Sequence, residues 1–273
     1  MWQRYELKNR AKDMLRKCYL SAVIVCLISS IFSGEFSRSG GGGEDRSIKS
    51  TYESSIDTAR EAIHGEIEAR DVVEQIKNSL LVGFFPIMIG FGILLALLGI
   101  VVSIFIGGPI LVGSKRFFMC NRETRGSLWM ILFAFRSSHV WNVILVMFLR
   151  ELKTFLWGLL FVIPGIIKSY EYRMIPYILS ENPGMDTKRA FQLSAEMMYG
   201  QKWEAFVLDL SFILWLILGA VTCGLVNVFF VHPYMAATNA ELYAALREDG
   251  LRRGLSNTYE LPGFETEKAN NQA

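Results

Sequence analysis

Residues 154–203, TFLWGLLFVIPGIIKSYEYRMIPYILSENPGMDTKRAFQLSAEMMYGQKW, decide the fold. An apolar run meets Pro164-Gly165, continues as a second apolar segment rich in tyrosine, and passes through Asn182-Pro183-Gly184 into a short amphipathic helix. Proline supplies no amide hydrogen and glycine tolerates a turn, so Pro164 and Gly165 are expected to form a structural corner between two apolar helices. Apolar segments of this length, joined by polar corners, predict an all-α membrane protein that crosses the bilayer more than once.

The whole chain supports that expectation. Of 273 residues, 52% are hydrophobic and 13% aromatic, and the mean hydropathy is +0.30. Charged residues make up 20% and fall in blocks between apolar runs, the segregation expected of polar loops between membrane segments. A formal net charge of +2 produces no basic field that would select nucleic acid. Cys18, Cys26, Cys120 and Cys223 stand singly, without a CxxC pair, and His64, His139 and His232 are equally scattered. No disulfide framework, metal site or cofactor motif is therefore expected.

Working outward, the hydropathy pattern predicts a polytopic transmembrane helical bundle of about six spans, at 18–34, 79–112, 139–163, 164–180, 204–220 and 222–246. Six Lys/Arg against two acids in residues 1–17 suggest a basic amphipathic helix at the membrane surface and a cytoplasmic N-terminus. The insertion 35–78, with ten acids, six bases and a glycine hinge at 40–43, is expected to be helical and extracytoplasmic. The run 79–112 is too long for one untilted span and too short for two with a turn, which favours one long, bent helix. Residues 113–138 carry five Lys/Arg and one acid and suit a cytoplasmic loop. The tail from 247 has no apolar periodicity and is expected to be disordered and cytoplasmic, giving a multi-pass cell-membrane protein with both ends inside.

Three charges form a candidate intramembrane polar site. Arg150 and Glu151, with Lys153, fall within the third expected span, either as an ion pair lining a polar cavity or at the interface if residues 139–149 skim the surface. Asp209 stands inside the fifth, either as a proton or cation carrier or paired with a neighbouring polar group. After the Asn182-Pro183-Gly184 break, Asp186 or Thr187 is expected to cap a surface helix through Tyr199. Its apolar face includes Phe191, Ser194, Met197 and Met198; Gly200 ends it, and Lys202 follows.

The segments WGLLFVIPGIIKSYEYRMIPYILSENP and SAEMMYGQKWEAFVLDLSFILW, with the opening MWQRYELKNRAKDMLRK, carry a family resemblance. In combination, Trp157, Leu159 and Leu160 before Pro164-Gly165-Ile166-Ile167-Lys168, then Asn182-Pro183, Ser194, Met197, Met198, Gly200 and Lys202, resemble the bacterial integral membrane family catalogued as domain of unknown function 975. The likeness extends over nearly the whole chain except 35–78 and the tail. The layout is more loosely similar to the membrane domain attached to some glycerophosphodiester phosphodiesterases, without their catalytic domain. The resemblance implies a membrane topology and no established activity.

No HExxH, Walker A or GxSxG pattern is present, and within the expected spans no two carboxylates stand at a spacing that would place them in one helical pocket. The chain is therefore read as non-enzymatic. Its main expected role is a non-catalytic envelope scaffold binding a protein or lipid partner, resting on the surface helices 1–17 and 186–199. The alternative is a small-solute or ion transporter or channel using Arg150, Glu151 and Asp209. Expected partners are the lipid bilayer and either a membrane protein or further copies of the chain.

Overall fold

The apolar run beyond residue 86 folds into one continuous helix, Ile87–Arg122, in a computed structural model of the protein. The structure describes residues 2–33, 87–123, 126–222 and 224–264. The expected insertion 35–78, the start of the second expected span, Cys223 and the last nine positions, 265–273, lie outside the described residues. The chain divides into two compact units, one of Ser37–Val101 and one of Met1–Phe36 with Val102–Ala273. In the first, the described residues 87–101 are helical and exposed on every side.

The second unit is a helical body. We number its helices α1 (Arg4–Ser33), α2 (the long helix Ile87–Arg122, shared with the first unit), α3 (Val140–Leu160), α4 (Val162–Glu171), α5 (Ile175–Glu181), α6 (Thr187–Met197), α7 (Lys202–Leu210), α8 (Ile213–Val221) and α9 (His232–Arg252). A π-helical turn, Ser103–Gly107, interrupts α2, and another, Asn227–Val231, precedes α9. Helix α1 packs against α9 and the later part of α2, which in turn packs on α5. The core between them holds Phe117, Phe118, Met174, Ile178, Leu179, Tyr177 and Tyr243. The rings of Tyr177 and Tyr243 stack with centroids 5.0 Å apart.

The expected six-span bundle is not what forms. Among the described residues, Ile87–Arg122 is the one helix long and apolar enough to cross a membrane. The multi-pass topology falls with this finding. So does the localisation expected with it, a multi-pass chain with both termini cytoplasmic. The physical reasons differ from segment to segment. The span expected at 18–34 is the second half of α1, kinked at Cys18 and buried along Ala22, Val23, Val25 and Cys26. Residues 164–180 break at Tyr172-Arg173-Met174, and every residue of the following α5 is buried in protein. Residues 204–220 break at Ser211-Phe212 into two nine-residue helices, each about 13 Å long and far short of a roughly 30 Å hydrocarbon core. Residues 222–246 contain the π turn and then α9, which buries Glu241 in an ion pair with Arg122. Residues 139–163 form α3, which carries Arg150, Glu151 and Lys153 and stops at Phe161.

The surface helices are corrected in the same way. Of the apolar face of residues 1–17, Leu7, Ala11, Met14 and Leu15 are buried in the protein's own core, Trp2 is half-buried and Tyr5 is exposed. Lys8 and Lys12 lie over the rings of Phe212 and Tyr234. The positively charged loop expected at 113–138 begins as the buried end of α2, and only Leu128–Leu132 and the one-turn helix Phe133–Arg136 depart from it. The tail is ordered as far as it is described: α9 continues to Arg252, and Leu261 is buried in the core.

Candidate functional site

Helices α3 and α4 form a helical hairpin, and its reversal falls at Phe161, whose extended backbone (φ −153°, ψ 136°) separates the two helices. Pro164 lies just after this point in the first turn of α4, where a missing amide hydrogen costs nothing because first-turn donors have no helical acceptor. Gly165 is needed for a different reason. A Cβ there would stand 2.6 Å from the Cα of Gly158, so the pair of glycines lets the two helices approach closely.

The far end of α4 and the turn after it carry the polar chemistry. Arg173 holds Asp209 of α7 by two parallel hydrogen bonds, Nη1 to Oδ2 at 2.7 Å and Nη2 to Oδ1 at 2.8 Å. The Tyr170 hydroxyl donates to the same Oδ2 at 2.7 Å, and Arg173 Nη2 also donates to Asn239 Oδ1 of α9 at 2.6 Å. The cluster therefore joins α4, α7 and α9 around one carboxylate. Burial would weaken the Arg173 charge, but its hydrogen bonds to the Asp209 carboxylate outweigh that effect and raise the guanidinium further. Burial, and then the bond to Asp209, push the Tyr170 phenol far above its ordinary range, so it stays a proton donor at neutral pH.

One residue from Tyr170, Glu171 gathers a second set of partners. Lys168 and Lys202 donate to its two carboxylate oxygens at 2.8 and 2.7 Å, and the Ser194 hydroxyl donates to its backbone carbonyl at 2.7 Å. Burial alone would raise the Glu171 carboxyl, yet the two lysines hold it below the usual carboxylate range. The expected surface helix is thus tied inward. Asp186 caps α6 by accepting from the Lys188 and Arg189 amides, Gly200 ends the segment with φ 74°, and Phe191, Ser194, Met197 and Met198 are buried. The Phe191 ring meets Tyr172 edge-on at 4.9 Å, with Lys153 over it.

A third node is deeper. Glu181, at the end of α5, accepts from the Tyr243 hydroxyl at 2.8 Å, from Arg247 Nε at 2.8 Å and from the Gly263 amide at 2.6 Å. Burial and the Glu181 charge push the Tyr243 phenol well above its ordinary value. Arg189 binds Glu260 through Nε and Nη2, and Asn182 donates to the Glu260 carbonyl, so the segment 255–264 is held on α5 and α6.

The three charges singled out in the sequence do not converge. Arg150 pairs with its neighbour Glu151 at 2.9 Å, on a face where the Glu151 side chain is 48% exposed. Asp209 pairs instead with Arg173 and Tyr170. Its partners Tyr170 and Arg173, and the Asn239 that Arg173 also binds, were not among the site residues singled out in the sequence. An arginine in the apolar run YEYRMIPYI was itself a signal, because such a charge requires a carboxylate or a wet surface. Among the described residues, no group of three or more His, Cys, Asp or Glu is arranged to hold a metal ion.

Residues 84–250 match the family described as "Protein of unknown function (DUF975)". The chain belongs to that family. No curated protein and no solved structure matches it. The match takes in the hairpin and all three polar nodes up to α9, and leaves out the opening basic helix.

Proposed function

We propose that this member of an uncharacterised family is a membrane-associated protein that handles a small charged solute or ion, with the Arg173–Asp209 pair as the exchangeable site. The observation that carries this reading is the bidentate bond of Asp209 to Arg173 with Tyr170 on the same oxygen. The arrangement is locally neutral and can change state in one step. A competing anionic group displaces Asp209 from the buried Arg173 guanidinium, which then holds the incoming carboxylate or similar anion. Tyr170 remains protonated and can follow either acceptor.

The scaffold reading loses its support, because both helices on which it rested are packed within the body. Catalysis is no part of this proposal. With one candidate spanning helix among the described residues of each chain, a path across a bilayer would be built between several copies or with a partner membrane protein.

The test is flux into vesicles reconstituted with the full chain, read with a trapped pH-sensitive dye for protons and with labelled succinate as a small anion. Protein-dependent flux is expected, with its loss in Asp209→Asn and its retention in Arg150→Gln, whose guanidinium serves only its sequence neighbour. No flux above protein-free vesicles, or equal flux in Asp209→Asn, would overturn the reading.

A further inference from the structure

The α3–α4 hairpin ends in an apolar tip that no part of the described protein covers. Residues 155–163 are exposed without exception, including Leu159 at 73%, Val162 at 72% and Ile163 at 72%. The fourteen residues 154–167 carry no Asp, Glu, Lys or Arg, and a lysine stands at each flank, Lys153 and Lys168. A soluble surface rarely leaves a contiguous patch of this kind in water.

We propose that this tip is a wedge embedded in one leaflet of a phospholipid bilayer, without crossing it. Three observations select hydrocarbon as the occupant. Exposure extends around both legs, whereas a protein partner or a second copy would cover one face and leave the other wet. The base carries aromatic groups that favour the boundary layer, with Trp157 on one leg, Tyr170 on the other, and Trp203 and Phe206 beside them on α7. The depth is also right. Leu160 lies about 10 Å beyond Lys153 along α3, comparable with the roughly 5–10 Å reached by interfacial elements and well short of the roughly 30 Å core. The proposal does not rest on the solute reading, since a wedge would anchor the protein whatever Asp209 does.

The experiment uses the full chain in vesicles of phosphatidylcholine and phosphatidylglycerol. Val162→Cys, in a background with the four native cysteines changed to alanine, is labelled with an environment-sensitive fluorophore, and Ser256→Cys serves as the control. The expected result is blue-shifted emission at 162, quenched most by a nitroxide high on the acyl chain, less by one at the chain end, and little by aqueous iodide. The label at 256 is expected to respond to iodide alone. If removing the cysteines unfolds the protein, a benzophenone amino acid replacing Phe161 in the native chain is expected to crosslink to phospholipid. Strong iodide quenching at 162, strongest quenching from the chain end, or crosslinks to protein alone would overturn the proposal.

Discussion

The hairpin tip and α5 lie about a dozen residues apart in sequence, are similarly apolar, and meet opposite fates. Phe161, Val162 and Ile163 face outward, whereas Ile175, Ile178 and Leu179 are buried. The buried segment is the more polar of the two, ending in Ser180 and Glu181, because its surroundings supply partners: Arg116 reaches the Ser180 carbonyl and Arg247 and Tyr243 reach Glu181. Protein interiors accept a charge that is fully bonded, and hydrocarbon excludes one that is not. Hydropathy summed along the chain ranks the two segments in the wrong order for burial within the protein.

The largest effect that would break this comparison is at Glu181. Glu181→Ala leaves the Tyr243 hydroxyl and Arg247 without their carboxylate and frees the Gly263 amide. A loss of about 3–5 kcal/mol is expected in thermal or denaturant unfolding, the usual cost of removing one partner of a buried pair. Next is the matched pair Ile178→Ala and Ile163→Ala. The first opens a cavity in a closed core and is expected to cost about 2–5 kcal/mol. The second removes atoms that touch no core and is expected to stay within about 0.5 kcal/mol in detergent. Equal costs would mean that the tip is packed and would remove the contrast.

The smallest effect is the pH response of the docked segment 255–264. The bond from Arg189, reinforced by Ser256, holds the Glu260 carboxyl below its usual range. A depressed carboxylate stabilises the folded state above its unfolded pKa, and that contribution is lost as pH falls through the lowered folded value. Limited proteolysis within 255–264 is therefore expected to be slow at neutral pH and to accelerate only at acidic pH, below the ordinary carboxylate range. Glu260→Gln is expected to remove that pH dependence.

Much of the helical content was legible. The N-cap at Asp186 and the stop at Gly200 follow from short-range rules, since a side-chain oxygen two or three residues from an amide finds it in almost any context. The corner was legible only approximately, because Phe161 carries no turn signal and the bend is set by the contact of Gly158 with Gly165. The candidate site was half legible. Asp209 announced itself as an acid in an apolar run, but its partners come from sequence distances of 36 and 39 residues, which helical spacing cannot anticipate.

By itself the sequence determined that the protein is all-α, that Ile87–Arg122 is apolar throughout its first half, and that the chain belongs to its family. These depend on composition, local propensity and motif, all properties of neighbouring residues. Tertiary structure alone decided which apolar segments face protein and which face outward, which charges find partners, and that five expected spans do not form. The reason is that hydrophobicity is non-directional. An apolar helix is stabilised equally by a packed core and by hydrocarbon, and only the arrangement of the other helices determines which of the two it meets.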